Sequence, residues 1–89
     1  MKKIMKNSAI IESIKNDELI ILNMDNGNYY GLQDTSLEVW ELLDKYSDEQ
    51  ELLQQVLMVY QDDTDSIKKE IEQFISRLHK ERLIRYEEQ

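Results

Sequence analysis

His79 is the only imidazole in the chain, and no cysteine stands anywhere to assist it. One histidine without thiolate partners is too few ligands for the usual zinc site, and cysteine nucleophiles and disulfides are missing too. Its position at the margin of a helical apolar stripe marks it as a solvated or half-buried surface residue. Asp62, Asp63 and Asp65 gather carboxylates as a calcium loop does. Such a loop also needs a glycine for its bend and acids at set intervals, and neither is present. Helix capping accounts for these aspartates better. Gly27 and Gly31, the only glycines, are too few for a phosphate-cradling loop. The inventory predicts no catalytic residue, no metal and no cofactor.

The stretch with chemical content is Gly27-Asn28-Tyr29-Tyr30-Gly31-Leu32. Its chemistry is that of the backbone. Read as a strand, it sends Tyr30 and Leu32 to one face, toward the core, and Tyr29 and Gly31 to the other. It is also the last strand of its run, so one side is left unpaired unless the chain's end covers it. Edge strands are usually blunted by lysine, proline or inward charge. This one has none of these. An undefended edge can accept a foreign strand, with backbone hydrogen bonds giving affinity and side-chain pockets giving specificity.

The elements that position this strand follow from a change of period along the chain. Residues 9–32 read as strands and residues 35–83 as helices. Two isoleucine- and leucine-rich runs, 9–15 and 18–24, flank the polar pair Asn16-Asp17, which suits a two-residue hairpin turn. Asn26-Gly27 is a second hairpin signal, because both residues tolerate positive φ. Thr35 and Glu38 fit a capping box, and Ser47 with Gln50 fits another. Asp63, Thr64 or Asp65 can cap a third helix. The first helix is predicted to run to Tyr46, carrying Val39, Trp40, Leu42 and Leu43 on an apolar arc. The second, over 48–61, turns Leu52, Leu53, Val56, Leu57 and Tyr60 to one side. The third, over 65–82, places Ile67, Ile71, Phe74, Ile75 and Leu78 on one stripe. A short extended piece, 83–86, is expected to follow. The prediction is an α+β fold: one domain over 1–89, with a three-stranded antiparallel meander, then three helices on one face of the sheet, the plan of a winged helix-turn-helix.

A chain of 89 residues buries only about 60% of the surface that its unfolded form exposes, so all elements must share one core. Nineteen acidic against eleven basic residues leave a net charge of −8. Phosphate backbones repel such a surface, whereas a basic partner is steered toward it. The basic start Met1-Lys2-Lys3-Ile4-Met5-Lys6-Asn7 lacks the apolar stretch of a signal peptide. The longest apolar run, Val56 to Tyr60, falls far short of the ~20 residues that span a bilayer. The chain is therefore expected to be soluble and cytoplasmic, with neither membrane nor nucleic acid as partner.

Tyr30-Gly31-Leu32, then Thr35, then Val39-Trp40 and Leu42-Leu43-Asp44, together resemble the signature of the PqqD-like family. These are peptide-recognition domains from the biosynthesis of ribosomally made, modified peptides (RiPPs). The likeness extends from residue 9 to about residue 84 and is densest from Gly27 to Asp44. Gln33 stands where the family often has asparagine, Ser36 replaces a small residue, and Lys45-Tyr46 replaces a glycine. These departures fall at turns. The resemblance implies that a precursor's leader peptide lies as an added antiparallel strand on the third strand, beside the third helix. Carried onto this chain, backbone contacts fall on Asn28, Tyr29, Tyr30, Gly31 and Leu32. The helical wall is drawn from Ile67, Glu70, Ile71, Phe74, Arg77 and Leu78. At least two of the four apolar wall residues are expected to be plain core, leaving Glu70 and Arg77 as the better contact candidates. The free-standing size, the tyrosine-rich strand and the helical tryptophan resemble lasso-peptide recognition subunits. That implies a basic leader with an aromatic and a proline anchor, and a leader peptidase and cyclase as further partners. The rival reading is a winged-helix nucleic-acid-binding or regulatory domain. It is disfavoured because the second helix has no lysine or arginine.

Overall fold

The computed structural model describes residues 2–60 and 64–88, and Asp62 and Asp63 lie outside it. The chain order is β1 (Lys2–Lys6), β2 (Ile10–Lys15), β3 (Glu18–Asn23), β4 (Tyr29–Leu32), α1 (Asp34–Leu42), α2 (Glu49–Val59), α3 (Thr64–Lys80) and β5 (Ile84–Glu88). The architecture is α+β, a three-stranded antiparallel sheet in the order β2-β3-β4 followed by three helices.

The meander forms where the alternation places it. Leu19, Ile21 and Asn23 face inward from β3, each spaced two apart, and each is buried. Asn16 and Asp17 join β2 to β3 with φ of 53° and 64°, the left-handed pair that a tight hairpin demands. The next turn departs from expectation. Only Gly27, at φ 74°, is left-handed there. The loop is wider, closed by the Asn23 amide donating to the Asn28 carbonyl at 2.9 Å and by Gly27 N–H to Asn23 C=O at 2.8 Å. Side chains shape the rest: Asn23 Oδ1 accepts from the Asp25 amide and Asn26 Oδ1 from the Asn28 amide, both at 2.9 Å.

The basic start, to which sequence assigns no element, is a strand. β1 pairs antiparallel with β5, Ile4 opposite Tyr86. Ile4 and Ile84 enter the core at 3% and 2% exposure. The Ile4 amide also donates to the Ser47 carbonyl at 2.7 Å, tying this ribbon to the turn before α2. The extended piece after α3 thus pairs with β1 and not with β4.

The caps differ from those read in the sequence. Ser36, not Glu38, closes the start of α1: its hydroxyl donates to the Gln33 carbonyl at 2.7 Å and accepts from the Gln33 amide at 3.2 Å. Thr35 and Glu38 are instead directed to Tyr60, whose hydroxyl donates to Glu38 and accepts from Thr35. Asp48, not Ser47, caps α2 through the Gln50 amide. α1 ends at Leu42 rather than Tyr46, and α3 ends at Lys80 rather than residue 82.

The core gathers Leu19, Ile21 and Leu32 from the sheet, Val39 and Trp40 from α1, Leu52, Leu53 and Val56 from α2, and Ile71, Ile75 and Leu78 from α3. Each such side chain contributes about 1.5–3 kcal/mol on burial. Trp40 is fully enclosed: its indole N–H donates to Glu12 Oε1 at 2.7 Å, and Lys6 Nζ lies 4.3 Å from its ring centroid.

Candidate functional site

The outer edge of β4 pairs with no strand among the described residues. Its hydrogen-bonding phase is set by the ladder to β3, in which Tyr30 lies opposite Ile21 and Gly31 opposite Ile20. The Asn23–Asn28 bond makes that pair a hydrogen-bonded one. In an antiparallel ladder such pairs alternate, so Asn28, Tyr30 and Leu32 direct their backbone groups to β3, while Tyr29 and Gly31 direct theirs outward. The free row therefore consists of the N–H and C=O groups of Tyr29 and Gly31.

Beside this row is a recess of about 180 Å³ lined by Tyr29, Tyr30, Gly31, Leu32, Phe74, Arg77, Leu78, Glu81 and Leu83. A second, about 140 Å³, adjoins it through Phe74 and is lined by Thr35, Ser36, Val39, Glu70 and Ile71. The groove runs between β4 and one margin of α3. One end of it is closed by the turn after α3. The chain leaves α3 through Arg82 at φ 63°, with the Leu83 amide on the Leu78 carbonyl and the Arg82 amide on the His79 carbonyl. That is a Schellman closure, with arginine where glycine usually sits. Asn23 Nδ2 donates to the Glu81 carbonyl at 3.2 Å and Asn7 Nδ2 to the Arg82 carbonyl at 2.8 Å, fixing this turn against the sheet. Glu81 then reaches back to accept from the Tyr30 hydroxyl at 3.0 Å.

Nine of the sequence-predicted site residues line the two recesses: Tyr29, Tyr30, Gly31, Leu32, Glu70, Ile71, Phe74, Arg77 and Leu78. Asn28 and Ile67 line neither: the Asn28 side-chain amide lies 3.5 Å from the Tyr30 hydroxyl, and Ile67 packs against the core. On α3, Ile71 and Leu78 are core at 3% and 2% exposure, whereas Phe74 is half-buried, and Glu70 and Arg77 are exposed. Glu81, Leu83, Thr35, Ser36 and Val39 line the groove without having been singled out as site residues. Glu81 continues the Glu70–Arg77 margin, since it lies one turn beyond Arg77, and that stripe was the signal for it.

The opposite sheet edge, β2, lines neither recess and carries the charges of Glu12 and Lys15. His79 is exposed and packs edge-on against Tyr86, centroids 4.8 Å apart. Asp65 lies in the first turn of α3, where the helix dipole favours a negative charge. Among the described residues no cluster of side chains could hold a metal ion, and no helix is long and apolar enough to cross a membrane. What the groove offers chemically is a pair of outward-facing peptide groups flanking a hollow with an apolar floor, the complement of an extended chain.

Comparison with known proteins matches this geometry to a family. The profile described as "Coenzyme PQQ synthesis protein D (PqqD)" matches residues 18–84, and the chain belongs to that family. Among solved structures, the chain is similar to one described as TbiB1 in complex with the TbiA(beta) leader peptide. The TM-score is 0.78 and the identity 21%, covering 90% of this chain and 93% of that one. At that identity the likeness is one of fold. Comparison with curated proteins gives no match.

Proposed function

We propose that this chain is a non-catalytic, cytoplasmic recognition module that binds the leader segment of a ribosomally made precursor peptide as an added strand on β4 beside α3. One observation carries the reading: the free peptide groups of Tyr29 and Gly31 stand next to a recess with an apolar floor of Leu32, Phe74, Leu78 and Leu83 and a charged margin of Arg77 and Glu81. Membership of the PqqD family supports it, and so does a fold shared with a protein solved with a leader peptide. A guest strand bonded to Tyr29 and Gly31 turns the residue opposite Tyr30 into the recess, because paired residues share a face. Arg77 and Glu81 line this recess, and Glu70 lines the adjoining one.

The module's role is then delivery, to a leader peptidase and a cyclase of lasso-peptide biosynthesis. A lysine-rich leader with an aromatic and a proline anchor fits the acid-rich surface and the apolar floor of the recess. Nucleic acid is the poorer ligand, since α2 contains no lysine or arginine to meet phosphates. The test is titration with synthetic leader segments of candidate precursor peptides. Amide shifts are expected to concentrate at residues 28–32 and along α3. Shifts scattered over the surface, or none at all, contradict the assignment.

A further inference from the structure

Gly31 does not owe its place to backbone conformation, because its φ lies outside the left-handed region. What its missing side chain provides is room for Glu18. A Cβ built on Gly31 would lie 2.7 Å from Glu18 Oε2 and 3.1 Å from Glu18 Cδ. Glu18 begins β3, diagonal to Gly31 on the outer face of the sheet. Its register partner on β2 is Lys15. The carboxylate leans the other way, across the bare Cα of Gly31, where it accepts a hydrogen bond from Gln33 Nε2 at 3.3 Å. A negative charge from the central strand is thereby delivered to the open edge of β4.

We propose that Glu18, reaching across Gly31, selects a lysine or arginine in the guest strand at the position opposite Gly31. The inference rests on strand addition at β4 and specifies the peptide it admits. Gly31 offers outward backbone groups, so the guest residue facing it forms a hydrogen-bonded antiparallel pair, Cα atoms about 5.5 Å apart. Both side chains of such a pair project from the same face, here the outer one, and Gly31 contributes none. A lysine or arginine stem there finds the Glu18 carboxylate as its charged neighbour, with Gln33 on that carboxylate and the Tyr29 ring on the same face, and its length spans the pair. The next guest residue, opposite Tyr30, turns inward to the recess. Since the strands run in opposite directions, the basic residue immediately precedes the apolar anchor in the guest's sequence.

The test is selection of short, fully randomised displayed peptides on the wild-type chain, on Glu18→Gln and on Glu18→Lys. Thermal melting of each variant verifies folding. Wild type is expected to enrich a lysine or arginine directly before an apolar residue. Glu18→Gln should lose that preference, and Glu18→Lys should favour aspartate or glutamate in its place. For a selected peptide, exchanging the basic residue for glutamine should weaken wild-type binding about fivefold, the scale of one partly exposed charge pair, and leave Glu18→Gln binding unchanged. The same basic preference on all three proteins, or no charge preference on wild type, overturns the role of Glu18 while strand addition stands. Selected peptides that leave the Tyr29 and Gly31 amides unmoved overturn strand addition and this inference together.

Discussion

Tyr30 and Glu81 are joined by a 3.0 Å hydrogen bond that ties the middle of β4 to the turn after α3, closing one end of the groove. The strand and the wall helix are 51 residues apart in sequence at this contact, so their spacing depends on few such ties. Removing the hydroxyl with Tyr30→Phe is expected to cost about 1 kcal/mol of stability, the usual net worth of a partly buried hydrogen bond. Urea denaturation measures it. An unchanged midpoint would mean that the groove is held by packing alone.

Trp40 makes a sharper prediction. Its ring is fully buried, and Glu12 is the acceptor of its indole N–H. Glu12→Ala leaves a buried donor without this partner, which costs about 1–3 kcal/mol. Glu12→Gln keeps an acceptor there and is expected to retain most of the stability. Equal losses in the two variants would contradict this role for Glu12.

Phe74 and Leu78 lie one turn apart on α3, yet they should respond differently. Leu78 is 2% exposed, and Leu78→Ala is expected to cost about 2–5 kcal/mol as a cavity opens in the core. Phe74 is only half-buried and faces both recesses. Phe74→Ala should cost less stability but weaken leader binding about tenfold or more, a loss readable by calorimetric titration. A Phe74 variant that binds as wild type would move the peptide site away from α3.

Tyr60 gives the fold a signature in alkali. The hydrogen bond that it donates to Glu38 is the main reason its hydroxyl is held above the ordinary value of 10.0. A raised folded-state value favours the protonated form. The tie between α1 and the end of α2 is therefore complete below pH ~10, the unfolded tyrosine value, and is lost as pH climbs through the folded one. Tyr86 is also raised, chiefly by burial. Ultraviolet titration should show tyrosine ionisation above the ordinary value of 10.0, and Tyr60→Phe should remove part of it. A late portion of the titration that is unchanged in that variant would contradict the assignment.

How much of this was legible in the sequence depended on how local each cause was. β3 and β4 are readable because their burial alternates with period two, and β2 because its isoleucine-rich run stands directly across the Asn16-Asp17 turn from β3. The stripe of α3 is just as local. β1 is not, because Lys2–Lys6 contributes one fully buried residue, Ile4, and its partner strand stands at the other end of the chain. The first capping box misled because Thr35 and Glu38 bond Tyr60, a tertiary contact that outcompetes a local one. At the site, the strand and helix were legible as an edge and a wall. That only Tyr29 and Gly31 offer free peptide groups was not, because the parity of the ladder follows from the width of the Asn23–Asn28 loop. Glu18 was hidden for a similar reason: it reaches Gly31 only once β3 and β4 are in register.

The most direct measurement is residue-resolved amide hydrogen exchange across β4, with and without a synthetic leader peptide. Without it, the Tyr30 and Leu32 amides, bonded to β3, should be protected, while those of Tyr29 and Gly31 exchange freely. With the leader bound, Tyr29 and Gly31 should become protected as well, completing the alternation. If those two amides are already protected in the free chain, or stay unprotected when the leader is bound, a guest strand does not pair with this edge.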